Sequence, residues 1–270
     1  MALPTGAPGQ DRFAKSGFAR INDYWLDGKH HTVDDQRLAD DVAVVAPHIP
    51  YLVRSQRAML GRIVRYLADR GVRQFLDLGS GIPTMGHVHE IAQGVDPASR
   101  VVYVDIDPKL GELGREILAG DEAAAYLTAD IRDREAVLES EEVRRLLDLE
   151  QPVGVLMIET LLHFADSEHP GEIVAGYVDA IAPGSYVALS HCSENEQLLN
   201  AYAMFERMML GARPEVNLRS TEQLASYFRG LELVEPGIVA IPLWRPDSPE
   251  DLDRNPEEVQ MHVGLGYKHG

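Results

Sequence analysis

The sequence lacks three features that would otherwise restrict its location or its partners. It contains one cysteine, Cys192, which excludes an internal disulfide and fits a reducing cytoplasm. No apolar run approaches the ~20 residues that a membrane-spanning helix requires, so we expect no membrane partner. The N-terminus has no basic start followed by an apolar stretch, which argues against a signal peptide. We therefore expect a cytoplasmic protein.

Basic residues are scarce relative to acidic ones. The chain has 25 Lys and Arg against 43 Asp and Glu, a formal net charge of −18. Because nucleic-acid affinity rests on cations that neutralise phosphates, this excess argues against nucleic acid as a partner. Six arginines do cluster ahead of the first predicted strand, but their helical spacing predicts one solvated face. They are Arg54, Arg57, Arg62, Arg65, Arg70 and Arg73.

Histidines and acids also occur together near the N-terminus. His30 and His31 stand close to Asp34 and Asp35, which raises the question of a metal site. Two adjacent histidines in a loop do not easily share one ion, so we expect a solvated polar loop and no metal.

The most informative segment is a glycine-rich turn after an apolar run. The run ends in Asp77, and Gly79 and Gly81 follow before a helical pattern begins. Glycines let the backbone turn sharply and approach a ligand closely. The next apolar run ends in Asp105, an acid at the position that binds ribose hydroxyls in doubly wound folds. Together these two strand ends predict a site for a nucleotide-sized ligand.

Details of the turn distinguish between cofactors. A dinucleotide site needs a third glycine three residues after Gly81, and Thr84 stands there instead. The acid two residues before Gly79, Asp77, suits a ligand with a cationic end, such as a methionine amino group. This Asp-x-Gly-x-Gly pattern resembles the first motif of class I S-adenosylmethionine-dependent methyltransferases. Pro83 occupies the place where that family often has its third glycine.

Later segments extend the resemblance and imply further cofactor contacts. Asp130 ends the third predicted strand, and the resemblance implies that it hydrogen-bonds the adenine amino group while Ile131 packs on the ring. Ile106, directly after Asp105, is assigned to the same site. The apolar run 153–158 predicts a buried parallel strand. It continues into Glu159–Phe164, which resembles the family's fourth motif and is therefore expected beside the methyl sulfur.

The resemblance narrows to an actinobacterial S-adenosyl methyltransferase family, formerly known as a domain of unknown function. It extends from about Phe18 to the C-terminus. It implies an α/β, Rossmann-like fold with a seven-stranded, mostly parallel sheet, helices on both faces and an N-terminal helical cap. We also expect Tyr24 near the methionine end of the cofactor. The matching segments are Ala19–Lys29, Arg73–Thr84, Val101–Pro108, Ala182–Tyr186 and Leu231–Gly237.

The organisation along the chain predicts a single structural domain. Residues 1–12 are expected to form a disordered tail, residues 13–72 the cap, and residues 73–270 the cofactor-binding α/β domain. Alternating strand and helix patterns imply a parallel sheet. A helical insertion at about 193–213 is expected over the ligand crevice, with Met204, Phe205 and Met208 as one apolar wall. Whether the protein forms a homodimer stays open.

The expected chemistry is an in-line displacement in which the protein aligns an acceptor with the methyl group and excludes water. An acceptor hydroxyl or amine needs a base, and the candidates are His163, His191 and Glu159. For each histidine, a structural role with a backbone partner is an equally good interpretation.

Three functional hypotheses follow. The first is methylation of a small, largely apolar molecule in specialised metabolism, with oxygen, nitrogen or carbon as the acceptor atom. The second keeps the cofactor but changes the chemistry to cyclisation or aminocarboxypropyl transfer. The third is a protein that senses the cofactor without turnover.

Overall fold

The computed structural model describes residues 15–193, 216–248 and 260–270. The tail predicted for residues 1–12 lies outside these ranges. So does the predicted insertion apart from Ser193, including Met204, Phe205 and Met208.

Three helices precede the sheet and form the cap. They are α1 (Lys15–Trp25), α2 (Val33–Val45) and α3 (Ile49–Asp69). Thr32 begins α2 as its N-cap, because its side chain accepts a hydrogen bond from the Asp35 backbone while the Asp35 carboxylate accepts one from the Thr32 backbone. A small apolar cluster that includes Ile21 and Trp25 holds the three helices together. Tyr24, which the resemblance places near the cofactor, thus lies on a helix, α1.

The sheet follows the predicted α/β, Rossmann-like architecture. Five strands are parallel in the order β3-β2-β1-β4-β5, and the antiparallel β8 joins β5 at the far side. The prediction of a mostly parallel sheet is confirmed, with eight strands in place of seven because both short strands β6 and β7 pair with β8. The strands are β1 (Gln74–Leu78), β2 (Arg100–Asp105), β3 (Ala124–Thr128), β4 (Gly154–Ile158), β5 (Tyr186–Cys192), β6 (Glu232–Leu233), β7 (Val239–Ala240) and β8 (Met261–Tyr267).

Helices cover both faces of this sheet, and each face has its own apolar cluster. The segment 134–149, which reads as one helix in the sequence, is two short helices because Ser140 starts the second as an N-cap to Val143. The remaining helices are α4 (Val88–Val95), α5 (Pro108–Ile117), α6 (Arg134–Leu138), α7 (Glu141–Leu146), α8 (Pro170–Ala180) and α9 (Thr221–Ser226).

The strand order reverses at β1, which pairs with β2 on one side and β4 on the other. In parallel sheets such a reversal opens a crevice at the carboxyl ends of the strands, where ligands bind. The cap helices α1 and α3 face this crevice across the turn that follows β1. The fold thus places the predicted cofactor motifs and the cap on opposite walls of one space.

Candidate functional site

A cavity of about 420 Å³ lies at the carboxyl ends of β1, β2, β4 and β5, under α1 and α3. This volume is within the range of small-molecule sites. Most of the predicted site residues line it: Asp77, Gly79, Gly81, Asp105, Ile106, Asp130, Ile131, Glu159 and His163. The two exceptions are Tyr24 and His191.

The glycine turn is shaped by its backbone and by one close neighbour. Gly79 and Gly81 have φ angles of 77° and 65°, in the left-handed region that favours glycine. A Cβ at Gly79 would lie 2.5 Å from Cγ2 of Thr160, so a side chain there would collide with the segment after β4. A Cβ at Gly81 would meet nothing closer than Ala19, at 3.9 Å. The absence of a side chain at Gly79 therefore lets Thr160 pack against the turn. At Gly81, the absence of a side chain leaves space in the cavity.

Asp105 joins the glycine turn to the end of β2. Its Oδ2 accepts a hydrogen bond from the Gly81 backbone at 3.1 Å, and its Oδ1 accepts one from the Asp107 backbone at 3.0 Å. An ionised carboxylate has about four acceptor positions, so this buried group keeps capacity for the two hydroxyls of a ribose.

A buried charged group stands on each side of the turn. Burial raises the pKa of Asp77 to about 7, even though Arg57 opposes the shift. Arg57, on α3, places its Nη1 in the protein interior without a hydrogen-bond partner among the described residues. The cavity thus holds an acid and a guanidinium close together.

His87 lies against the same acid but does not compensate its charge. Its Nδ1 is 3.7 Å from Asp77 Oδ2 and accepts a hydrogen bond from the Val88 backbone at 3.0 Å. Burial lowers the pKa of His87 well below its usual value. The imidazole is therefore neutral, and its role is to begin α4.

Two isoleucines and an ion pair border the far end of the cavity. Ile106 is 42% exposed and Ile131 is 5% exposed, so Ile106 offers apolar surface that a flat ring could cover. The Asp130 carboxylate accepts a hydrogen bond from Arg132 Nε at 2.9 Å, and Arg132 Nη1 reaches Glu168 at 2.7 Å. An adenine amino group at Asp130 would share that carboxylate with Arg132.

Glu159 has an unusual backbone conformation. Its φ of 59° is uncommon for a residue with a side chain, and such conformations cluster at functional sites. Its carboxylate accepts hydrogen bonds from Ser190 Oγ and Cys192 Sγ, both at 3.0 Å. Burial raises the pKa of Glu159 to about 6. The group is thus held in place and titrates near neutral pH.

The two candidate histidines have different positions. His163 ends the short 3₁₀ helix Thr160–His163 and lines the cavity. His191 is 1% exposed, donates from Nε2 to the Asn217 carbonyl at 2.8 Å, and lies outside the cavity. Burial lowers its pKa to about 4. Because neighbouring residues of a strand face opposite sides, Cys192 takes the position towards the cavity.

Tyr24 also lies outside the cavity. Its hydroxyl donates to Asp40 at 3.1 Å on the outer side of the cap, and its neighbours Asn22 and Asp23 line the cavity instead. These two cavity-lining residues of α1 thus precede Tyr24 by two positions and by one.

Asp23 connects the cap to the turn after β1. Its Oδ1 accepts from Thr84 Oγ1 at 2.8 Å, and its Oδ2 accepts from the His30 backbone at 2.7 Å and contacts His31 Nδ1 at 2.9 Å. The loop with both histidines is therefore bonded to a buried carboxylate, where the sequence predicts a solvated loop. Among the residues that the structure describes, no cluster of His, Cys, Asp and Glu is suited to a metal ion.

Arg219 fixes the segment after β4, a role that the sequence does not predict. This buried side chain donates to the carbonyls of Leu161 at 2.8 Å and Phe164 at 2.6 Å, and it pairs with Asp166. It thereby holds the segment that carries His163. A single arginine 56 positions after His163 gives no local signal of this contact.

Part of the cavity lining is apolar. Its side chains come from the cap helices, from the segment after β4 and from the ends of two distant strands or loops. They include Leu26, Leu52, Val53, Leu162, Val216 and Met261.

Within the ranges described, no helix has both the length and the hydropathy needed to cross a membrane.

Crystal structures of two relatives share sequence and fold with the chain. A DUF574 family protein from Streptomyces avermitilis is 34% identical with a TM-score of 0.83, over 93% of this chain and 97% of that protein. A candidate methyltransferase from Thermobifida fusca is 38% identical with a TM-score of 0.83, over 99% of this chain and 100% of that protein. An O-methyltransferase family protein from Burkholderia thailandensis shares the fold alone, at 14% identity and a TM-score of 0.52, over 96% of this chain and 64% of that protein. No functionally curated protein matches the sequence.

The sequence profile of the S-adenosyl methyltransferase family matches residues 11–269, nearly the whole chain. The resemblance inferred from the motifs is confirmed, and with it S-adenosylmethionine as the cofactor. The chain belongs to the S-adenosyl methyltransferase family and is an S-adenosylmethionine-dependent methyltransferase.

Proposed function

We propose that the enzyme transfers a methyl group to a small, largely apolar molecule that carries one nucleophilic atom. The observation that supports this proposal is the mixed lining of the cavity. Apolar side chains, among them Leu52, Leu162 and Met261, line the same space as two titratable groups, Glu159 and His163. A pocket with apolar walls and a few placed polar groups is typical of small-molecule sites.

The cofactor would be held on the side of the glycine turn. Asp105 would accept hydrogen bonds from the ribose hydroxyls, while Ile106 and Ile131 would flank the adenine ring beside Asp130. Asp77 would bind the cationic amino group. When bound, S-adenosylmethionine supplies an electrophilic methyl group. The remaining contribution of the protein is to align the acceptor and to exclude water.

Glu159 would act as the base. Its pKa of about 6 leaves it ionised at neutral pH and close to the working pH, where proton transfer is most efficient. The hydroxyl of Ser190 and the thiol of Cys192 orient the carboxylate. His163 would contact the acceptor nearer the cavity mouth, since its side chain is exposed there. An acceptor hydroxyl or amine would release its proton to Glu159 as the methyl group arrives.

The cellular setting remains part of the proposal. A chain with one cysteine and a net charge of −18 fits the cytoplasm and fits an acceptor other than nucleic acid. We place the reaction in specialised metabolism, where small apolar acceptors are methylated. Whether the enzyme acts as a homodimer is a question for sedimentation or light scattering.

The test is product analysis with a panel of apolar phenols, amines and carbon acids. Incubation with S-adenosylmethionine should yield S-adenosylhomocysteine and an acceptor in which a methyl group replaces one hydrogen, both detected by mass spectrometry. Methylthioadenosine as the product would indicate aminocarboxypropyl transfer or a related reaction. Binding of the cofactor without turnover across the panel would favour a sensor.

A further inference from the structure

The ionisable lining of the cavity is strongly acidic. Histidines aside, it contains six carboxylates and two guanidinium groups, an excess of four negative charges when every carboxylate is ionised. The carboxylates are Asp23, Asp77, Asp105, Asp130, Glu159 and Glu168, and the guanidinium groups are Arg57 and Arg132. S-adenosylmethionine has a carboxylate, an ammonium group and a sulfonium, so it brings a net charge of only +1. A cleft lined by one sign of charge concentrates ligands of the opposite sign, and this cavity therefore favours a second cation beside the cofactor.

Five of the six carboxylates lie at the cap or on the proposed cofactor side. Arg132 pairs with both Asp130 and Glu168, and the charge of Arg57 stabilises the ionised form of Asp77. The sixth carboxylate, at the end of β4, is the one that the lining leaves for the proposed acceptor side.

This sixth carboxylate, Glu159, has no positive partner in the described part of the chain. It accepts hydrogen bonds from two neutral groups, the Ser190 hydroxyl and the Cys192 thiol, and forms no ion pair with a described residue. Those hydrogen bonds do not offset burial, which raises the pKa of Glu159. Because enclosing a charge without an opposite charge costs free energy, the arrangement points to a cation that arrives with a ligand.

The surface beside Glu159 favours an apolar skeleton on that ligand. Cys192, which donates to the carboxylate, pairs across the sheet with Met261, and both side chains line the cavity. Directly paired residues of neighbouring strands place their side chains on the same face. Glu159 keeps some surface in the cavity. A carboxylate next to an apolar surface matches a cation on an apolar skeleton.

We propose that the acceptor is an apolar amine that enters the cavity as a cation and binds Glu159 through its protonated nitrogen. This inference rests on the proposed function and narrows its acceptor atom to nitrogen. A protonated nitrogen has no lone pair and cannot attack the methyl group, so Glu159 first accepts one proton. The lone pair then forms the new N–C bond, and the C–S bond breaks with its electron pair passing to sulfur. The methylated amine leaves as a cation, and Glu159 returns its proton to solvent.

The test is calorimetry with pairs of an amine and an alcohol that share one apolar skeleton, such as phenethylamine with phenethyl alcohol and octylamine with octanol. The protein is first saturated with S-adenosylhomocysteine. This ligand has no sulfonium, so the amine is the cation added on the acceptor side. At neutral pH, at least one amine should bind ~10-fold or more tightly than its alcohol. Glu159→Gln should weaken that amine about 10- to 150-fold, as for loss of a hydrogen bond to a charged group, and leave the alcohol unchanged.

The matched control is Glu150→Gln, the same change at an exposed acid. It should bind both members of each pair as the wild type does. The comparison of amine with alcohol in the wild type requires no variant, so it tests the proposal even if Glu159→Gln does not fold.

Three results would overturn the amine proposal while the proposed methyl transfer survives. The first is no preference for the amine in any pair, and the second is an equal loss of amine and alcohol in Glu159→Gln. The third, with S-adenosylmethionine supplied, is methylation of alcohols while the amines stay unmodified. Amines that bind through Glu159 but lead to methylthioadenosine would instead overturn the proposed methyl transfer and leave the recognition of a cation in place.

Discussion

The proposed cofactor side and the proposed acceptor side of the cavity are built from different parts of the fold. On the cofactor side, Asp77 and Asp105 stand at strand ends, and Asp105 is bonded to the backbone of the glycine turn. On the proposed acceptor side, apolar side chains from α1, α3 and β8 line the cavity together with Glu159, whose backbone has a positive φ. Backbone geometry would thus fix the cofactor groups, whereas the size of side chains on helices would determine which acceptor fits.

The largest change in activity is expected for a substitution of Glu159, on the proposed acceptor side. Glu159→Gln removes the base and should lower turnover ~10²–10⁴-fold. Cofactor affinity should stay nearly unchanged, because the acceptor side alone is altered. Steady-state kinetics with an acceptor from the panel, together with calorimetry, provide both values. Glu150→Gln, at an exposed acid, is the control. A parallel loss of cofactor affinity would show that the two sides are not separate.

The next effect belongs to the cofactor side. Asp105→Ala should weaken S-adenosylhomocysteine by ~1–3 kcal/mol, because ribose hydroxyls would be left unpaired in a buried site. Calorimetry of the variant beside Asp69→Ala, a change at an exposed residue of α3, measures the difference. Unchanged affinity would show that Asp105 does not contact the cofactor, and the glycine-turn side of the cavity would then not be the cofactor side.

A smaller effect concerns pH and Asp77. The bound ammonium requires an ionised carboxylate, and burial raises the pKa of Asp77 to about 7 despite the nearby Arg57. Affinity for S-adenosylhomocysteine should therefore fall by up to ~10-fold per pH unit below 7. Methylthioadenosine should show no such slope. A slope shared by both ligands would assign the titration to another group.

The same pKa makes the opposite prediction for the unliganded protein. The unfolded acid titrates at about 3.9, so between that pH and 7 the folded state binds more protons. The contribution of Asp77 to the free energy of unfolding should then decrease as pH rises through this window. Asp77→Asn should flatten that part of the stability profile.

The smallest effect tests the link between cap and turn. Thr84→Val removes the hydrogen bond to Asp23 and leaves a buried carboxylate oxygen with one donor fewer. We expect a loss of about 1 kcal/mol in the free energy of unfolding, measured by urea denaturation. Ser226→Ala, which removes an exposed hydrogen bond, is the control. Equal stability of both variants would show that the cap does not depend on this contact.

The sequence predicts the first two strand ends and the glycine turn between them because their signals are local. A strand end, two glycines and a second strand end fix Asp77 and Asp105 within short segments, and the parallel sheet brings them together. The acceptor side depends on contacts between distant segments, such as Arg219 with the carbonyls of Leu161 and Phe164. Periodicity contains no information on such pairs.

Two misplaced residue types show the limits of pattern alone. The arginines of α3 were expected on one solvated face, yet Arg62 is buried and donates to the carbonyls of Trp244 and Ile241. The apolar residues that flank these arginines in the sequence do not indicate which arginine binds a loop that is distant along the chain. The sequence offers His191 as a candidate base beside the cavity. Both His191 and Cys192 belong to β5, and because neighbouring residues of a strand face opposite sides, Cys192 lines the cavity and His191 does not.

The alkylation rate of Cys192 can report whether the cavity is occupied. It is the one cysteine of the chain, it is 6% exposed, and it lines the cavity beside Glu159. Burial raises the pKa of its thiol well above the usual value, so alkylation is slow and occurs at a single position. Any compound that fills the acceptor side will shield that thiol. The rate at which intact mass shifts under iodoacetamide thus ranks compounds by occupancy in the unmodified wild-type enzyme, before any reaction is known.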